Sequence, residues 1–130
     1  MNRKIAIFCL IMLVSCTKPA RSFEEILPPQ IEGGWARGKL EKSGTLPALI
    51  AQAGPSDTAE ALYAGSGTIR IRVYRLKSET SAFELMQKWR QTDGMAVYKG
   101  AYFFVANGDG VSPSAIMALL AELQRVNSLA

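Results

Sequence analysis

The sequence predicts an α+β fold: a small, mostly antiparallel sheet with two amphipathic helices packed on one face, preceded by a signal peptide and a flexible tether. Three observations carry the globular part of this expectation. Ile69, Ile71 and Val73 alternate with Arg70, Arg72 and Tyr74, the period-two pattern of a strand covered on one side and wetter on the other. Ala82, Leu85, Met86 and Trp89, and again Ile116, Leu119, Leu120, Leu123 and Val126, recur at spacings of three and four, the stripe of a helix lying on a core. Between these helices, two aromatic and β-branched runs flank Lys99-Gly100-Ala101, which reads as a hairpin and therefore as antiparallel pairing.

The chain opens with Asn2, Arg3 and Lys4, continues with an apolar run over residues 5–14, and places the small residue Ser15 before Cys16. Charge, apolar run and small residue in that order make a secretory signal. Ten apolar residues form a helix about 15 Å long, half of the roughly 30 Å hydrocarbon core, so the run is too short to stay as a spanning anchor. Cys9 lies inside the run and leaves with it. Residues 17–30 read as a tether, with Pro19, Pro28 and Pro29 among Lys18, Arg21, Glu24 and Glu25. At about 3.3 Å per residue such a segment extends to roughly 45 Å. Residues 22–27 have the composition of one helical turn, which Pro28-Pro29 stops. The expected division is a signal peptide over residues 1–15, a modified cysteine and tether over 16–30, and one globular domain over 31–130.

Gly33-Gly34-Trp35 is the first distinctive pattern of that domain. Paired glycines let the backbone turn tightly, and the tryptophan beside them packs as a lid over the core edge; the alternative is an exposed aromatic platform for a glycan or partner. Leu46, Leu49 and Ile50 have helical spacing, Pro47 suits a first turn, and Gly54-Pro55 closes the segment. Residues 58–64 suit a strand or a helical turn, and Gly65-Ser66-Gly67 is a turn. The strand over 68–76 follows. Ser78 or Ser81 caps the next helix, and Ser81-x-x-Glu84 matches a capping box. Asp93-Gly94 ends it. In the hairpin, Tyr102-Phe103-Phe104-Val105 is apolar on both faces and belongs centrally in the sheet. Asn107-Gly108-Asp109-Gly110 turns the chain into the last helix, where Ser112 caps and Pro113 takes the first position.

Composition removes several kinds of chemistry. The chain has no histidine, hence neither the commonest general base nor the commonest metal ligand. Of its two cysteines only Cys16 would remain after processing, so no internal disulfide forms, and a histidine-dependent triad is excluded. Two of the 15 basic residues, Arg3 and Lys4, lie in the signal, which leaves 13 against 11 acidic ones. A balance that even gives no footprint for nucleic acid. The carboxylates Glu60, Glu79, Glu84, Asp93 and Asp109 are scattered at turns and helix starts and suggest no hydrolytic pair. Asn107-Gly-Asp109-Gly lacks the late glutamate of a calcium loop and reads as a turn. No catalytic residue, metal ligand or cofactor is expected. Arg70, Arg72 and Tyr74, with Trp35, form the candidate interaction surface, because a strand face of arginine and tyrosine suits an anionic or protein partner. The plainer alternative is a solvated strand face that simply carries charge.

Leu13-Val14-Ser15-Cys16 resembles the lipobox of bacterial lipoproteins at all four positions. The resemblance implies that the Cys16 thiol receives a diacylglyceryl group, that cleavage precedes it, and that the new amino end is often acylated with a chain such as palmitate. An ordinary signal cut elsewhere, with Cys16 incidental, is the alternative. The lipobox reading implies a membrane-anchored lipoprotein of the cell envelope, facing the periplasm, with an envelope protein as the expected partner. Thr17 rather than aspartate after the cysteine resembles outer-membrane cargo of the enteric sorting pattern. The mature part also resembles a family of small exported bacterial proteins of uncharacterised function. The matching features are Gly33-Gly34-Trp35, the strand at 69–74, Ser81-Ala82-Phe83 with Gln87-Lys88-Trp89, and Tyr98-Lys99-Gly100 before Tyr102-Phe103. That resemblance implies an α+β fold in the envelope and brings no functional residues with it.

Overall fold

The computed structural model describes residues 21–44 and 46–128. Its elements are α1 (Phe23–Ile26), β1 (Gln30–Ile31), β2 (Trp35–Arg37), α2 (Ala48–Ala53), β3 (Asp57–Ala64), β4 (Thr68–Arg75), α3 (Glu79–Lys88), β5 (Met95–Lys99), β6 (Tyr102–Asp109) and α4 (Pro113–Asn127). The strands form one sheet in the order β1-β2-β3-β4-β6-β5, and every neighbouring pair is antiparallel. The expected α+β class and antiparallel pairing are therefore present, and β6 is interior to the sheet as its two apolar faces required.

Registration explains the core. Ala61 faces Ile71, which faces Ala106; Ala59 faces Val73, which faces Phe104. These residues share one face and pack with Ile116, Leu119, Leu120 and Leu123 of α4. Helix α4 touches both edge strands, β1 and β5, so the sheet curls around it. Its start follows the local chemistry: the Ser112 hydroxyl accepts from the Ala115 N–H, and Pro113 occupies the first turn.

The two main helices do not share a face, which corrects the expected layering. Tyr74, Phe103, Val105 and Ala96 point away from α4 and pack with Ile50 of α2 and with Ala82, Leu85 and Trp89 around α3. A strand that is apolar on both sides, such as Phe103-Phe104-Val105-Ala106, must be covered on both sides. Trp89 meets the edge of Phe103 at 5.4 Å between ring centroids, and its indole N–H donates to the Gly94 carbonyl at 2.9 Å. Gly94 has φ +121°, and a Cβ there would lie 2.7 Å from Val105, so the chain passes too close to β6 for any side chain. Two local expectations also change. Ser78, not Ser81, caps α3, and Ser81 supplies the N–H that Ser78 accepts; the capping-box pattern falls inside the helix. Strand β6 runs on through Asn107-Gly108-Asp109 because its partner Thr68–Arg75 is equally long, and the turn comes at Gly110.

The expected tether is packed over its described part. Ile26 and Leu27 are fully buried against α4 and the curled sheet, and Gln30–Ile31 is an edge strand. Asn127 donates to the Ile26 carbonyl at 3.0 Å and accepts from Arg21 at 3.0 Å, tying the segment to the end of α4. Tyr63 donates to the Pro28 carbonyl at 2.7 Å, and burial pushes its phenol well above the ordinary value. Arg75 lies over the Phe23 ring at 4.7 Å and the Tyr102 ring at 5.6 Å, and donates to the Arg21 carbonyl at 2.6 Å. The folded body thus includes residues 21–30 ahead of Ile31. Two prolines end the helical turn as expected, but they do not free the chain, because Ile26 and Leu27 each gain about 1.5–3 kcal/mol by burial.

Ile26→Ala should lower the unfolding free energy by about 2–5 kcal/mol in urea titration, where a free tether would show no change. Met117→Ala on the outer side of α4 should stay within about 0.5 kcal/mol. Asp57 offers a pH test. A hydrogen bond from Lys42 chiefly, against the cost of burial, holds its carboxyl below the ordinary 3.8, helped by the Thr58 N–H and the charges of Lys42 and Arg75. A carboxyl lowered by folding contributes stability above 3.8 that fades as pH falls through its folded value. Wild type should therefore exceed Asp57→Asn by a constant margin at neutral pH, and the margin should close in acid denaturation scans.

Candidate functional site

The second sheet face is covered along only part of its length. Rows across the sheet make this plain. Thr58, Tyr74, Phe103 and Tyr98 form one row; Glu60, Arg72, Val105 and Ala96 the next; Leu62, Arg70 and Asn107 the third. Helices α2 and α3 cover the Tyr74 row. Beyond the Arg72 row the face is open, with Leu62 43% exposed and Arg70 exposed beside it.

A strap borders this open area. Arg37 pairs with Tyr63, yet Glu41 pairs with Glu60, so the strap spends one more residue than β3 between the two pairs. That is a bulge, and it turns residues 38–41 along the outer edge of β3. Glu41 and Glu60 exchange both backbone hydrogen bonds, at 2.9 and 2.7 Å, and Gly38 donates to the Leu62 carbonyl. The result is two clefts that share Leu62 and Arg70. One, about 210 Å³, lies between the strap and β4, lined by Lys39, Glu41 and Glu60 with the shared pair. The other, about 360 Å³, continues to Thr68, Asn107 and Asp109.

Electrostatics differ sharply between the two arginines. Arg70 is half-exposed and paired with Glu60 at the rim. Arg72 is only 8% exposed. It donates to the Asn107 side-chain oxygen at 3.0 Å and to the Tyr74 hydroxyl at 3.4 Å, and its Nε is buried without a partner. The carboxylate directly across from it, Glu60, is committed to Arg70. Arg72 lines neither cleft but holds Asn107, which lines the second, through a neutral oxygen, and Arg70 presents charge.

The sequence-predicted surface is therefore divided. Arg70 is accessible. Tyr74 is fully buried under α2 and α3, Arg72 is nearly so, and Trp35 is 6% exposed in the main core, where its ring lies against Gly65. The aromatic-platform reading of Trp35 is overturned, and its lid reading stands. Alternation predicts which face a residue takes but not which helix later covers that face. Neither Leu62 nor the strap is legible as a site in the sequence, because a lone leucine on a strand and a bulge pairing carry no local signal of exposure. Glu41 and Glu60 line one cleft as a cross-strand pair, a meeting of carboxylates that scattered positions did not suggest. Neither sits in the apolar setting a general-acid carboxyl requires, since Glu60 is paired and Glu41 exposed. Among the described residues no group of three or more acidic or sulfur side chains gathers as a cation site, and no helix is long and apolar enough to cross a membrane. Cys16 and the apolar run before it lie outside the described residues. Compared with protein-family models, curated proteins and solved structures, the chain matches none.

The buried guanidinium gives a specific expectation. Arg72→Met should leave unfolding free energy unchanged or raise it, because a buried cation bonded only to neutral oxygens is replaced by an apolar side chain of similar length. Asn107→Leu, which strips Arg72 of its better acceptor, should cost about 1–3 kcal/mol. Urea titrations of the two variants check both signs.

Proposed function

We propose that this protein is a membrane-anchored bacterial lipoprotein of the cell envelope, held through lipid on Cys16 and facing the periplasm from the outer membrane. Its part there is that of a non-enzymatic accessory or interaction module. The lipobox pattern at residues 13–16 supports the anchor. Two or more acyl chains give stable attachment where one is marginal, so the thiol and the new amino end together suffice. The observation that carries the interaction reading is the half-open second sheet face. An exposed leucine beside an exposed arginine, between a carboxylate pair and an amide, fits the mixed side chains of another protein. Arg70 also favours a second reading, a binding protein for a small ligand or an anionic envelope polymer, since a guanidinium open to solvent recognises carboxylate and phosphate groups.

Cells fed radioactive palmitate should label the wild-type chain, and Cys16→Ala should abolish the label. A photocrosslinker at position 62 should then trap one discrete envelope protein, where the same group at position 117 on α4 traps none. Titration with muropeptides and lipopolysaccharide fragments separates the readings: chemical-shift changes at Arg70 and Asn107 support the second.

A further inference from the structure

The chain enters the folded body at one end of the sheet, and that end has a distinct composition. Lys42 bonds Asp57 at 2.6 Å; Asp57 pairs in register with Arg75, Arg75 with Tyr102, and Tyr102 with Lys99. These residues form one row across the sheet margin. Arg75 holds the Arg21 carbonyl, and the Arg21 side chain reaches Asn127 near the end of α4. Lys77 follows two residues after Arg75, where Leu76 donates to the Ala101 carbonyl. Lys42 is exposed but paired with Asp57, and Glu24, Glu25 and Glu41 are exposed near it; Lys77 and Lys99, toward the other margin of the same end, are exposed and have no ion pair among the described residues. At the opposite end lie Gly33-Gly34, Gly65-Ser66-Gly67 and Asn107-Gly108-Asp109-Gly110. Those turns, with Glu32 beside the first, carry Asp109 and no cation.

We propose that the lysine-bearing end rests on the bilayer, with Lys77 and Lys99 against the phosphates of anionic lipid headgroups. This rests on the lipid anchor at Cys16. Because Arg21 is pinned to the body, only residues 17–20 separate the anchor from the fold. However those residues are arranged, five Cα–Cα steps span at most about 18 Å. Strand β4, with eight residues, is about 26 Å long. The leash is shorter than the sheet, so the entry end stays near the surface whatever the far end does. Attraction between lysines and an anionic leaflet acts within about 10 Å at moderate salt, a distance the leash keeps within reach. This orientation directs the Leu62–Arg70 clefts away from the lipid, since Thr68 and Arg70 lie at the other end of β4 from Arg75.

The test uses the full chain, exported and acylated in cells, and reconstituted in vesicles of phosphatidylethanolamine and phosphatidylglycerol. A fluorophore is placed at Ala101→Cys in the lysine-bearing turn or at Ser66→Cys in the far turn; an acylated Cys16 offers no competing thiol. Headgroup spin-labelled lipid supplies the quencher, and the mass of the N-terminal peptide reports acylation. Position 101 should be quenched several-fold more than position 66, and adding Lys77→Glu with Lys99→Glu should narrow the gap. Equal quenching at both positions in acylated protein overturns the surface and leaves the anchor standing. A gap that the two glutamates leave untouched overturns the role of the lysines. A peptide without acyl mass overturns anchor and surface together.

Discussion

Everything in this fold follows from a central strand whose two sides make different demands. On one side β4 offers Ile69, Ile71 and Val73, all fully buried, and α4 with the N-terminal segment covers them from end to end. On the other side it offers Tyr74, which needs cover, and then Arg72 and Arg70, which progressively refuse it. A short α2 and the ten-residue α3 suffice for the Tyr74 end alone. Had both sides been apolar throughout, a third layer of full width would be required. The half-open face is the outcome of that imbalance, and the clefts at Leu62 and Arg70 exist because of it.

The same strand binds the beginning of the chain to the body. Arg75 closes β4 and is simultaneously a cation between the rings of Phe23 and Tyr102, a donor to the Arg21 carbonyl and a partner of Asp57 at 3.5 Å. Exposed ion pairs contribute little alone. Here they sit around a segment that already buries Ile26 and Leu27, so the polar contacts set its register while apolar burial supplies the energy. The segment from Arg21 to Gln30 is thereby fixed to the body rather than hanging from it.

The candidate site has a corresponding economy. Arg72 is held beneath the surface by Asn107 and Tyr74, so it fixes Asn107 at the second cleft without offering its charge. Arg70 and Glu60 offset one another at the rim, and Leu62 supplies the apolar contact between the two clefts. A patch of this mixed character offers shape and hydrogen-bond geometry more than net charge.

From its sequence alone this protein is an α+β chain with an export signal pattern, no histidine, a central apolar hairpin strand and two amphipathic helices. Periodicity shows these because it is local: the spacing that places Ile69, Ile71 and Val73 on one side, or Leu119 and Leu123 on one stripe, is written within a dozen residues. Ser112-Pro113 and Gly54 mark helix ends for the same reason. Only the tertiary structure decided that the helices take opposite faces, that residues 21–30 pack on the body and bury Ile26 and Leu27, and that Tyr74 and Trp35 are hidden while Leu62 is not. Those outcomes depend on which distant segment comes to lie over each row of the sheet. The bulge that brings Glu41 against Glu60, and the reach of Asn127 back to Ile26, join positions far apart in the chain, and no local pattern encodes such a meeting.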